Sequence, residues 1–180
     1  DSVKTLVRDK YINTIESDKN YNPLEEFNLI NQDFDIKLSK KQKKIYKRIS
    51  ANDNFSTHLI HGITGSGKTA IYLQLVKESI NKGNNILILV PEITLIPHIA
   101  KEFKKYFGHI VGVWNSSMTA LEKQWTWDQI NTNKINIIIG TRSSICLPIQ
   151  KIGLIIVDEE HDSSYKQTEK MPTYNARDLA

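Results

Sequence analysis

The chain holds 180 residues, with 24 Lys and Arg against 20 Asp and Glu, one cysteine and five histidines. That length supports one domain with a core of its own, while a lone cysteine excludes a disulfide framework and leaves no credible zinc set. A net charge of +4 permits a polyanionic partner without requiring one. No apolar run reaches the ~20 residues of a membrane span, and Asp1-Ser2-Val3-Lys4 opens no apolar signal core, so the expectation is a soluble, intracellular chain with no membrane partner.

In chain order, Val3, Leu6 and Val7 suit a short helix and Tyr11 to Ile15 a short strand. Polar sequence with Pro23 and many Asn and Asp residues follows, so residues 1–35 read as the tail of one module and a linker. At Ser39 a capping box, Ser39-Lys40-Lys41-Gln42, opens a helix whose apolar side is Ile45, Tyr46 and Ile49. The basic run from Lys37 to Arg48 fits the solvated face of that helix, or a contact to a DNA backbone.

From Thr57 the pattern alternates. Strands are expected at His58 to His61, Ile86 to Val90, Ile110 to Trp114, Ile135 to Ile139 and Leu154 to Val157, with helices near Lys68 to Lys82, Thr94 to Phe107 and Thr119 to Asn131. Gly83 and Gly108 stand at helix ends, and Thr119-Ala120-Leu121-Glu122 is a second capping box. Trp125 and Trp127, two residues apart, cannot share one helix face, so at most one is core. Cys146, beside Leu147 and Pro148 with no basic partner, gives no sign of a reactive thiol. Strands apolar on both faces and separated by amphipathic helices imply an α/β fold, a parallel sheet with helices on both faces. The chain closes on Tyr174 to Ala180, a helix pattern cut short, which suggests a piece of something longer.

Gly62-Ile63-Thr64-Gly65-Ser66-Gly67-Lys68-Thr69 satisfies the phosphate-loop pattern between an expected strand and an expected helix. Gly62, Gly65 and Gly67, with Thr64 and Ser66 between them, let the backbone curl so that successive N–H groups face a phosphate. The helix N-terminus adds partial positive charge at the same place. Lys68 then reaches the β and γ phosphates, and the Thr69 hydroxyl takes a Mg²⁺ position, so the implied ligand is Mg-ATP.

Leu154-Ile155-Ile156-Val157 runs into Asp158-Glu159-Glu160-His161. Acids at the end of a buried strand are costly unless they meet a cation, which places them at the carboxyl edge of the sheet facing the phosphate loop. Asp158 would hold Mg²⁺ through water and Glu159 would orient and deprotonate the attacking water, while His161 would hydrogen-bond toward a neighbouring lobe. Gly140-Thr141-Arg142-Ser143 is a small-residue turn that suits a nucleic-acid phosphate, or an ordinary polar turn with Arg142 in a salt bridge. The Asn-Lys-x-Asp guanine reader of small GTPases is not in the sequence.

Gly62 to Thr69, Val90-Pro91-Glu92-Ile93, Gly140 to Ser143, and the runs Gly153 to His161 and Asp162 to Gln167 resemble, in order and spacing, the PriA (primosomal protein N′) family of replication-restart helicases within superfamily 2. The resemblance implies an ATP-dependent 3′-to-5′ DNA helicase acting at abandoned forks, with residues 36–180 as its first RecA-like lobe and ATP-binding domain, truncated at the C-terminal end. Residues 1–35 would then be a winged-helix remnant and linker, and a second lobe with an arginine finger and a zinc module would lie outside this chain, leaving the chain alone able to bind Mg-ATP but not to turn it over. Forked or single-stranded DNA, primosome proteins and single-stranded DNA-binding protein are the implied partners, in the cytoplasm at the nucleoid.

By the same resemblance Gln42 reads the adenine edge, although the capping box also accounts for it. Arg142, with Thr141, contacts the DNA backbone. The stretch from Tyr165 through Lys166 to Tyr174 resembles an aromatic-rich loop that senses single-stranded DNA, where Tyr165 or Tyr174 either stacks on a base or packs on its own loop. The family's tryptophan at position 127 favours Trp127 as the buried one of its pair. Ile96, His98, Lys123, Thr173 and Asn175 depart from the family's usual residues. Other readings are a different superfamily 2 translocase and a nucleotide-gated DNA-binding module without turnover.

Overall fold

The computed structural model describes residues 22–24, 36–52, 54–63, 65–169 and 171–180. The helix and strand expected before residue 16, and with them the winged-helix remnant, lie outside the described residues. Helices are α1 (Lys40–Ser50), α2 (Lys68–Asn81), α3 (Ile96–Phe107), α4 (Ala120–Asn131) and the short α5 (Ala176–Leu179). Strands are β1 (Asn85–Leu89), β2 (Val111–Trp114), β3 (Ile137–Gly140), β4 (Ile152–Val157) and a small pair, β5 (Lys166–Gln167) and β6 (Tyr174–Asn175).

β1 to β4 form a parallel sheet in the order β2-β3-β1-β4, and β5 pairs antiparallel with β6. The period-two rule sorts the apolar side chains into two layers. Ile86, Ile88, Val90, Ile137, Ile139 and Ile156 point to one face, where Leu73 and Val76 of α2 and Ile96, Ala100 and Phe103 of α3 cover them. Leu87, Leu89 and Ile138 point to the other, covered by Ile130 of α4, Leu147, Tyr165 and Ala176. This is the expected parallel sheet between helical layers. It explains why β1, a central strand, is buried at every position.

Both capping boxes form, Ser39 with Gln42 and Thr119 with Glu122. Gly83 takes a positive φ of 73° just past the α2 cap, as a terminating glycine does, while Gly108 is itself the cap residue of α3. The expected strand at His58 to His61 is not formed. The segment joins no ladder, and Leu59 is 74% exposed. A two-sided apolar strand needs neighbours to cover it, and among the described residues the outer edge of β4 has none to offer, its first residue Ile152 being 43% exposed.

Two further placements differ from expectation. Leu24, inside the supposed linker, is buried in the α3 layer, and its carbonyl accepts a hydrogen bond from the buried Lys104 Nζ at 2.6 Å. Burial lowers that ammonium's pKa. Trp127 is the more exposed tryptophan of α4, at 40%, and leans on Trp114, whereas Trp125 packs on the second layer. The inward positions of α4 are Thr126 and Ile130, four residues apart, so each tryptophan is left to one flank.

α1 buries no residue and is held to α2 by a polar clasp. Glu78 accepts hydrogen bonds from Tyr46 Oη at 2.9 Å and Ser50 Oγ at 2.6 Å and pairs with Lys82 at 3.0 Å. Burial alone would push the Glu78 carboxyl up, but the bonds from Ser50, Lys82 and Tyr46 outweigh it and hold the group below its ordinary value of 4.5. Glu78→Ala is expected to lower stability to urea by about 1–2 kcal/mol at neutral pH. A depressed carboxyl stabilises above its unfolded pKa and loses that contribution on protonation, so the difference from wild type should narrow as pH falls below 4.5.

Candidate nucleotide site

The phosphate loop leads into α2, whose N-cap is Gly67 at φ 80°. That left-handed backbone favours glycine, and a Cβ there would also push the Gln42 side-chain amide aside. Ser66 N–H closes onto Ile63 O at 3.1 Å, whereas the amides of Gly65, Gly67, Lys68 and Thr69 have no main-chain partner among the described residues. These are the free donors at a helix start that an anion takes up. Thr64 lies outside the described residues, and Gly65, Ser66 and Thr69 are exposed. Lys68 Nζ donates to Gly62 O at 2.9 Å, an internal tether a phosphate oxygen would replace.

Gln42 takes the capping role weighed for it and makes a second bond, to the phosphate loop. Its Oε1 accepts from Ser39 N at 2.8 Å, completing the cap, and its Nε2 donates to Gly67 O at 3.1 Å. The side chain thus ties α1 directly to the phosphate loop, with its amide hydrogens turned to the loop backbone.

The acidic run arrives at the same end of the sheet through β4. In the parallel register Leu89 pairs with Val157, and Asp158 N–H donates to Leu89 O at 2.9 Å. Asp158 therefore stands just past the carboxyl edge, and its Oδ1 accepts from Tyr72 Oη, one turn into α2, at 3.2 Å. Oδ2 accepts no hydrogen bond among the described residues. Burial first, and the neighbouring acids second, push the Tyr72 phenol far above its ordinary pKa.

Glu159 follows with φ 49°, a left-handed conformation that a non-glycine side chain adopts at a cost of about 1–2 kcal/mol. Strain of this kind concentrates at functional positions. Asp162 N–H donates to Glu159 O at 2.9 Å and closes the turn. His161 is mostly exposed, its Nε2 3.8 Å from Glu159 Oε2.

The donor set suits Mg²⁺ bound with nucleotide. No three His, Cys, Asp or Glu side chains converge into a metal-holding group among the described residues, and Mg²⁺ is commonly held by one or two protein oxygens with phosphates and water completing its shell. The unpartnered Asp158 Oδ2 and the exposed Thr69 provide such oxygens.

Of the residues expected to meet DNA, Tyr165 is the one placed away from solvent. Tyr165 is 1% exposed and lies in the second core layer, so in this arrangement it offers no face to a base. Its hydroxyl reaches Leu89 O at 3.1 Å and Asp158 O at 2.5 Å, tying the loop after β4 to the end of the β1–β4 ladder. Burial, with Asp158 nearby, also raises that phenol far above its ordinary pKa.

Arg142 forms no salt bridge among the described residues. Its Nη1 donates to Ser164 O at 3.2 Å and Lys166 O at 2.8 Å, gripping the carbonyls on either side of Tyr165, while Nε and Nη2 have no partner among the described residues. Thr141 N–H donates to Trp114 O at 3.3 Å, Tyr174 is half-buried on the second layer, and Lys166 is exposed. Sequence reasoning missed Tyr72; its position four residues after Lys68, on the same helix face, was the available signal.

Tyr165→Phe keeps the ring and removes only the hydroxyl. It is expected to destabilise the fold by about 1–2 kcal/mol, and Tyr165→Ala by about 3–5 kcal/mol, both read by chemical denaturation. Unchanged stability in both variants would contradict the buried-strut arrangement.

The chain matches the DEAD/DEAH box helicase family over residues 39–178. It is 44% identical over 143 residues to "Replication restart protein PriA" of Synechocystis sp., covering 79% of this chain and 17% of that protein. Proteins of the same name are 48% identical over 128 residues in Chlamydia trachomatis (71% and 17%) and 40% identical over 148 residues in Bacillus subtilis (81% and 18%). The chain thus spans under a fifth of the length of these relatives. The phosphate loop, the acidic strand end and the match over most of its residues agree: the chain belongs to the DEAD/DEAH box helicase family.

Proposed function

We propose that this chain is the ATP-binding motor lobe of a replication-restart DNA helicase of the PriA type, coupling ATP hydrolysis to 3′-to-5′ movement on DNA. The observation that carries the reading is the convergence of Asp158 on α2, bridged by Tyr72 at 3.2 Å, which sets a carboxylate beside a phosphate-loop helix start. Identities of 40–48% to proteins named for replication restart support the choice within the family.

In this reading the amides from Gly62 to Thr69, with Thr64 and Ser66 beside them, cradle the phosphates. Lys68 exchanges Gly62 O for the β and γ oxygens. Thr69 and Asp158 hold Mg²⁺, which when bound neutralises charge on the β and γ phosphates. Glu159 orients the attacking water and takes its proton, and His161, out in solvent, contacts whatever closes over the site. Gln42 Nε2 moves from Gly67 O to the adenine edge, while its Oε1 keeps the cap.

Arg142, with its Nε and Nη2 open to a phosphate, contacts the DNA backbone together with Thr141 and Lys166, and Tyr174 flanks that path. Residues 36–180 form the ATP-binding domain, and residues 1–35 are a winged-helix tail and linker. The zinc module, the primosome proteins, single-stranded DNA-binding protein and a cytoplasmic setting at the nucleoid are carried by family likeness.

In the full-length protein, Lys68→Ala is expected to cut ATP turnover by about 10²–10³ or more, as loss of a preorganised charge-stabilising donor does. Fork binding should stay within a few-fold of wild type. ATPase and strand-displacement assays read the first and DNA titration the second; unwinding left intact by Lys68→Ala would overturn the motor assignment.

A further inference from the structure

Asp158 is immobilised on three sides by this chain. Its N–H is bonded to Leu89 O and its carbonyl accepts from Tyr165 Oη, which fixes the backbone. Its carboxylate is held separately, through Oδ1, by Tyr72 Oη. Tyr72 leaves α2 one turn after Lys68, and its ring packs against the core layer that also buries Leu73 and Val76, so the hydroxyl has little freedom to leave. A carboxylate pinned through one oxygen keeps a single rotamer and presents the other oxygen in a fixed direction. Groups that hold a metal ligand from behind in this way set its orientation before the metal arrives.

We propose that Tyr72 is a positioning residue for the metal site: its hydroxyl holds Oδ1 of Asp158 so that Oδ2 faces the Mg²⁺ shell of the bound nucleotide. The inference rests on the Mg-nucleotide reading above, and it assigns a task to a side chain outside both sequence motifs. Because Tyr72 and Lys68 share one helix face, a single helix sets the phosphate-binding amine and the orientation of the carboxylate together. Any shift of α2 would move both.

The test uses the full-length protein with Tyr72→Phe, which keeps the ring and its packing, and Asp158→Asn as the control for the metal reading. Binding of a fluorescent ATP analogue is titrated against Mg²⁺ and repeated in EDTA, beside thermal melting. Tyr72→Phe is expected to raise the Mg²⁺ concentration for half-maximal binding about 10-fold or more, the lower bound of what such supporting groups usually contribute. Binding in EDTA should be unchanged. A merely structural tyrosine would shift melting and leave the metal midpoint alone.

A midpoint within twofold of wild type for Tyr72→Phe, while Asp158→Asn moves it strongly, would overturn the positioning role and leave the metal reading standing. If neither variant moves the midpoint, the metal reading fails and the inference fails with it.

Discussion

The parallel pairing of β4 with β1 is the constraint on which the site depends. The register that sets Val157 beside Leu89 delivers the next residue, Asp158, to the carboxyl edge of the sheet, and the bond from Asp158 N–H to Leu89 O makes it the last rung of the ladder. A one-residue slip would turn Ile155 and Val157 toward the α2 layer and drive Ile156 into the other. Apolar burial on both faces therefore specifies where the acid stands. The chemistry is positioned by hydrophobic sorting before any polar contact acts.

Polar contacts then tie neighbouring elements to that edge, each from a different direction. Tyr72 connects it to α2, Tyr165 to the loop after β4, and Arg142 grips that loop from the turn after β3. Gln42 does the equivalent for the phosphate loop by holding Gly67 O from α1. The phosphoryl transfer proposed for the site would ask the protein for placement and charge more than for covalent chemistry, and the side chains here supply placement by holding main-chain carbonyls. The strained φ of Glu159 fits the same logic, since the turn that carries it is closed by Asp162 N–H and anchored at Asp158.

Much of this was legible in the sequence. Two-sided apolar runs marked β1 to β4 within one or two residues of their ends, and both capping boxes formed as read, because those signals are local. The phosphate loop and the acidic run were recognisable for the same reason. Segment 58–61 failed as a strand because its apolar pattern needs lateral partners, which no local signal supplies. Trp127 was misjudged because α4 turns Thr126 inward, a choice made by the packing of the sheet rather than by the size of the side chain. Tyr165 read as an exposed aromatic in a polar loop, yet that loop folds back over Leu89 and buries it. Tyr72 carried no motif at all. Its role depends on an 86-residue separation in sequence that only the sheet closes.

The central claim is that this edge is an Mg-nucleotide site assembled in advance by the sheet. A crystal structure of the lobe with Mg²⁺ and a non-hydrolysable ATP analogue tests it most directly. The account predicts Lys68 Nζ released from Gly62 O onto the phosphates, Asp158 Oδ2 facing the metal shell, and the Tyr72 and Tyr165 bonds to Asp158 unchanged. Nucleotide bound elsewhere, or Asp158 turned away from the metal with those bonds broken, would contradict it.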